Sequence, residues 1–225
     1  MMTFKQGLTL IGSHLSVRNL YSIQAVVNYL EHGRWMKDHR FAVDHRVERK
    51  EQVWDAVIDR VGNKKVLYLE FGVNRGDSMR YWSKNLRHPD SVLHGFDSFE
   101  GLPETGGAWV KGQFDNGGRT PFIDDPRVRF YKGWFDEVLP DYESQGVPAH
   151  DVLIVNVDAD LYSSTIYVLR WLRPLICPGT FIYLDDMNQP QHVERAFGEF
   201  LEESGLEFRV VSADRSLAWV CFEAA

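Results

Sequence analysis

Two cysteines in 225 residues, Cys177 and Cys221, are too few for a disulfide framework and lack metal-site spacing. Both stand in apolar surroundings and are expected to be small core residues of a reduced, cytoplasmic protein. No run of about 18 apolar residues occurs, so no membrane span is expected. The opening MMTFKQGLTLIGSHLSV has only a short, broken apolar stretch with no small-residue cleavage site after it, which argues against a secretory signal. Excess positive charge is missing as well: the formal net charge is −7, which disfavours nucleic acid as a partner. The chain also contains no internal repeat and no low-complexity tract.

What is present reads as one domain with an appendage. Hydrophobic residues make up 44% of the chain, ordinary for a globular core. Residues 1–62 are expected to be mostly helical. YSIQAVVNYLEHG has helical apolar spacing, with Gly33 as its stop. In VERKEQVWDAVIDRVG, the residues Val47, Val53, Trp54, Val57, Ile58 and Val61 share one face, and Gly62 ends the helix. From residue 63 to 225 short apolar strands alternate with helices: KVLYLEFG, SVLHGFD, VRFYKG, DVLIVNVD and GTFIYLDD. A closing hairpin is placed around Ala213–Arg215. This rhythm predicts an α/β fold with a mostly parallel sheet covered on both faces. Residues 98–127 break it. They are rich in Gly and Pro, and with Trp109 and Phe114 they read as a packed lid.

The chemistry gathers at strand ends, where open α/β sheets bind ligands. LYLEFGVNRGDS gives the pattern E-x-G-x-x-x-G-x-S on Glu70, Gly72, Gly76 and Ser78, which differs from the G-x-G-x-x-G dinucleotide fingerprint. Its glycines admit close backbone approach, and the helix that follows offers free N–H groups to an anion. Ser78 as a plain helix cap is the simpler reading. Asp97 ends the second strand, placed for ribose hydroxyls or solvated in a turn. Two further strands end in acids: Asp158 and Asp160 close one, Asp185 and Asp186 the other. Neighbouring carboxylates need compensation, and an all-oxygen set suits Mg²⁺ or another hard cation. Asp158, Asp185 and Asp186 are the expected ligands. Asp160 is read as a supporting residue, a cap for the helix starting near Tyr162. His192 is either a second base facing the pocket or a helix-start histidine. Tyr162 and Arg75 are either site residues or structural hydrogen-bonders.

EFGVNRGDS, GFDSFEGLP, YKGWFDEVLP, VDADLYSST and PGTFIYLDD, in this order, resemble class I S-adenosylmethionine-dependent O-methyltransferases, and in particular the macrocin O-methyltransferase family. The resemblance spans residues 65–200. It implies a Rossmann-like sheet of seven strands with the last antiparallel, and methylation of sugar hydroxyls on antibiotics and related glycosides. Carried over by position, it implies donor binding by Glu70, Gly72, Asn74, Gly76, Ser78, Asp97 and Ser98. The adenine would be bordered by Gly133 and Trp134, Mg²⁺ held by Asp158, Asp185 and Asp186, and Asp158 would be the base. Catechol O-methyltransferases share the turn and the acidic strands, but this chain lacks their lysine after the first aspartate and has Asp-Asp where they carry Asp-Asn. Methylation of a phenol and a different metal-dependent reaction on the same fold stay open as alternatives. So does a non-catalytic nucleoside-binding protein. The N/D-P-P-Y/F type motif of nucleic-acid methyltransferases is absent. A glycosylated small molecule is the expected acceptor. A homodimer through the N-terminal helices is a further expectation.

Overall fold

The computed structural model describes residues 3–225, so Met1 and Met2 of the expected N-terminal helical segment lie outside the described residues. The strands are β1 (Arg46–Val47), β2 (Val66–Phe71), β3 (Val92–Asp97), β4 (Val128–Lys132), β5 (Val152–Val157), β6 (Phe181–Leu184), β7 (Phe208–Asp214) and β8 (Val220–Ala224). The helices are α1 (Phe4–Gly12), α2 (Val17–Asp38), α3 (Lys50–Val61), α4 (Asp77–Asn85), α5 (Phe135–Ser144), α6 (Tyr162–Leu172) and α7 (Val193–Ser204). The strands form one sheet in the order β1-β7-β8-β6-β5-β2-β3-β4. Only β8 is antiparallel to its neighbours.

The two central strands explain this arrangement. VLYLEF in β2 and VLIVNV in β5 are buried at every position, as a sheet covered on both faces requires. Leu67, Leu69 and Phe71 pack with Leu139 of α5, Leu169 of α6 and Phe197 of α7. Val66 and Tyr68, on the opposite face, pack with Trp54 and Val57 of α3 and Trp82 of α4. The strand ends are level: Phe71 pairs with Phe96 on one side and Val157 on the other, and Val157 pairs with Leu184. Whatever follows these residues therefore emerges along one edge.

Four details differ from the sequence expectation. The sheet gains an eighth, two-residue strand, β1, parallel to β7, and Val47 belongs to it rather than to the α3 face. β8 is inserted between β6 and β7, so the antiparallel strand is internal, and the hairpin turns over residues 215–219. α2 runs through Gly33, because its last turns are held by the body. His32 Nδ1 lies 2.6 Å from Glu194 Oε2 and His32 Nε2 3.0 Å from the Leu217 carbonyl, and Trp35 packs against Phe41 and Phe197. The carbonyl can only accept, so Nε2 donates there. Cys221 is buried as expected, whereas Cys177 is exposed in the turn before β6.

Candidate active site

A cavity of about 850 Å³ opens along the edge where β2, β3, β4, β5 and β6 end. Gly72, Asn74, Asp97, Ser98, Gly133 and Trp134 line one part of it. Asp158, Asp160, Asp185 and Asp186 line another, joined there by Lys50 and Trp219. The structure thus brings most of the sequence-derived residues to one space. Glu70, Gly76, Ser78 and His192 are absent from its lining.

The glycine turn is built by hydrogen bonds beneath the cavity. Asp97 Oδ2 accepts from the backbone N–H groups of Val73 (2.8 Å) and Asn74 (2.7 Å), and Oδ1 accepts from Phe99 N (2.7 Å). Asp97 thereby ties the end of β3 to the turn after β2, and only its remaining lone pairs face the cavity. The Glu70 carboxylate accepts from the Tyr68 hydroxyl (2.8 Å) and from Ser78 Oγ. Burial raises Glu70 to about 7. Ser78 is spent on this buried pair and does not cap α4, whose N-cap is Gly76.

The acidic strand ends carry the strongest electrostatic signal. Burial first, then the Asp185 charge, holds the Asp158 carboxyl well above the usual aspartate value. Burial raises Asp185 also, against the opposing pull of Lys50. Asp185 and Trp219 line the same part of the cavity as Asp158, and the Asp185 charge disfavours ionisation of Asp158. Asp160 rises to about 7 and Asp186 to about 6, each chiefly by burial and next by a neighbouring aspartate. Asp160 does not cap α6: no side chain caps that helix at Leu161. It sits with φ 57°, and Asp186 with φ 56°. Asn74 and Phe99 also have positive φ, so four left-handed non-glycine residues cluster at this edge. Strain of that kind persists where the surrounding structure imposes it, and it concentrates at functional sites. Among the described residues no three His, Cys, Asp or Glu side chains converge as a ready-made metal cage.

Residues 98–127 contain neither helix nor regular strand, yet they are pinned. Trp109 is buried, and its ring packs edge-to-face with His192 at a centroid separation of 5.1 Å. Ser163 Oγ donates to Glu104 (2.5 Å), and Asn116 Nδ2 donates to Asn74 Oδ1 (2.9 Å). Phe114 lines the cavity but stays half-exposed. A Cβ on Gly106 would come within 2.8 Å of the His192 ring, so the turn before Trp109 must be bare there. His192 therefore sits under this loop, its Nδ1 accepting from Tyr162 N at 3.3 Å, and burial lowers it. Tyr162 points away: its hydroxyl donates to Glu199 (2.5 Å). Arg75 is exposed beside the turn. Trp109→Ala is expected to raise amide exchange across residues 104–112 by roughly tenfold, as the buried ring that packs on His192 is lost. Unchanged exchange there would show that Trp109 does not hold the loop.

Lys50 and Trp219 escaped the sequence reading. Lys50 opens α3, more than a hundred residues before Asp158, and Trp219 leads into β8. The only signal available was a tryptophan beside the closing hairpin.

The sheet order, its single antiparallel strand and the ligand edge define a class I methyltransferase fold. Solved structures of O-methyltransferases share it, NovP and CalS11 among them. The O-methyltransferase NovP has a TM-score of 0.58 at 25% identity, covering 78% of each chain. The calicheamicin methyltransferase CalS11 has 0.58 at 21%, covering 77% of this chain and 76% of its own. Residues 115–221 match the macrocin-O-methyltransferase (TylF) family model, so the likeness carried by the motifs is confirmed over that stretch. The 8-demethyl-8-(2,3-dimethoxy-alpha-L-rhamnosyl)-tetracenomycin-C 4'-O-methyltransferase of Streptomyces olivaceus is 33% identical over 143 residues, 52% of this chain and 51% of the relative. The mycinamicin III 3''-O-methyltransferase of Micromonospora griseorubida is 32% identical over 123 residues, 55% of this chain and 44% of the relative. The chain thus spans about half the length of these two curated relatives.

Proposed function

We propose that this protein transfers a methyl group from S-adenosylmethionine to a hydroxyl oxygen, most simply that of a sugar on a small glycoside, with Mg²⁺ as cofactor. The observation that carries the reading is a single cavity with two chemically distinct parts. One part has a glycine turn, Asp97 and the Gly133–Trp134 segment, suited to a nucleoside-bearing donor. The other has four carboxyls and one lysine.

Asp158, Asp185 and Asp186 would hold the cation, and the donor set suits it: all oxygen and crowded, with Lys50 opposing their charge. When bound, Mg²⁺ would supply Lewis-acid polarisation of the acceptor oxygen and keep the carboxyls ionised. Asp158 accepts the hydroxyl proton as the oxygen–carbon bond forms and the carbon–sulfur bond breaks, leaving a neutral thioether. The indole faces of Trp109, Trp134 and Trp219 offer apolar walls against which a sugar ring can be oriented. The loop over residues 98–127 would keep water from the reacting atoms.

The test is methyl transfer to a panel of glycosides with and without chelator. Chelation is expected to lower turnover by roughly 10²-fold or more, a few kcal/mol of lost polarisation, with recovery on adding Mg²⁺. Undiminished turnover in excess chelator removes the metal from this reading.

A further inference from the structure

The amino-acid end of the proposed donor carries an ammonium and a carboxylate, and the cavity treats the two unequally. Eight acidic residues line it, so an ammonium finds partners readily. The same residues repel a carboxylate, which needs a cation or free N–H groups to bind. The places where the sequence would supply these are closed. Ser78 donates to Glu70 and lies outside the cavity lining. Gly76, which opens α4, lies outside it too, and Asp77 puts a negative charge on the first turn of that helix.

Two lysines remain on the cavity wall, Lys50 and Lys111. Lys111 is exposed on the loop beyond Trp109. Lys50 is half-buried at the first position of α3, and its ammonium lies 5.6 Å from the centre of the Trp54 ring one turn on. Trp54 is itself buried and packs on Tyr183 and Trp82, so the stem of Lys50 rests on a fixed surface. None of the ion pairs formed among the described residues includes Lys50. Helix dipoles favour anions in the first turn, so nothing in α3 itself calls for a lysine there. To a ligand, however, the ammonium and the first turn of α3 present the same sign of field. The Lys50 charge also opposes the rise that burial imposes on Glu70, Asp158, Asp185 and Asp186. It therefore stands between the foot of the glycine turn and the acidic strand ends. A ligand that spans the two parts of the cavity passes this charge.

We propose that Lys50 binds the carboxylate of the donor's amino-acid end and makes the site selective for a donor that carries one. The inference rests on the methyl-transfer reading and deepens it. Calorimetric titration with S-adenosylmethionine and with decarboxylated S-adenosylmethionine tests it, since the second ligand keeps the sulfonium, the nucleoside and the amine. The wild-type protein is expected to bind the full donor more tightly by roughly 10- to 100-fold, the range for a hydrogen bond to a charged group. Lys50→Met is expected to lose that preference with no fall in affinity for the decarboxylated donor. Lys50→Arg, which keeps the charge, should retain most of the preference. Equal wild-type affinity for the two donors overturns the inference and leaves the methyl-transfer reading standing. So does a Lys50→Met variant that keeps the preference, or that loses affinity for both donors alike. A wild-type protein that binds neither donor overturns both.

Discussion

Asp158→Asn is expected to lower methyl transfer by roughly 10²–10⁴-fold, the range for removing a general base, while leaving affinity for the donor nearly unchanged. The side chain lines the acidic part of the cavity and feels the charges of Asp185 and Lys50. An amide keeps the shape but can neither take up the hydroxyl proton nor present a full negative charge to a cation. Donor affinity should survive, because the turn after β2 is held by Asp97 rather than by Asp158. Stability should move the other way. The folded Asp158 keeps its proton above the usual value of 3.8, where the unfolded one has lost it. The wild-type carboxyl therefore costs stability as pH rises from that value through its raised folded one. The amide escapes this cost, so the variant without metal should unfold at an equal or higher temperature at neutral pH. Wild-type turnover by Asp158→Asn, measured as initial rates with saturating donor, would remove Asp158 from the chemistry.

Gly72→Ala is expected to destabilise the fold by about 2–5 kcal/mol, combining a left-handed backbone penalty with overpacking, and to abolish donor binding. Gly72 has φ 91°, and an added Cβ would overlap the Asp158 carbonyl oxygen. Neither side can yield easily. Gly72 N donates to the Phe96 carbonyl at 3.0 Å, and Asp158 N donates to the Phe71 carbonyl at 2.8 Å. The turn of β2 and the acidic end of β5 are thus locked in backbone contact, so strain at one displaces the other. Urea unfolding and calorimetric titration with the donor check both parts. An unchanged midpoint with intact binding would show that the turn relaxes freely.

The elements that could be read from sequence were those governed by local pattern. The unbroken apolar runs of β2 and β5 and the acids closing β3, β5 and β6 placed the cavity before any coordinates. What could not be read depended on distant partners. β1 exists only because Arg46 and Val47 meet β7. α5 begins just after Gly133 and carries Pro140 in its interior, which discourages a helix reading, yet Leu139 and Tyr142 bury it against the sheet. α2 passes Gly33 because His32 finds Glu194, 162 residues away. Within the site, the residue types were legible but their uses were not. Asp97 is drawn to backbone N–H groups, Ser78 to Glu70, and His192 lies beneath Trp109. Lys50 enters the acidic cluster through tertiary packing of α3, which no local pattern announces.

The central claim is that one cavity joins a methyl donor to a sugar hydroxyl. Incubating the protein with methyl-labelled S-adenosylmethionine, Mg²⁺ and a panel of deoxysugar glycosides tests it most directly, with label followed into the acceptor by mass spectrometry. The account predicts a single added methyl on a sugar oxygen, lost with Asp158→Asn. Failure of the wild-type protein to bind the donor by calorimetry, with no label in any acceptor, would contradict it.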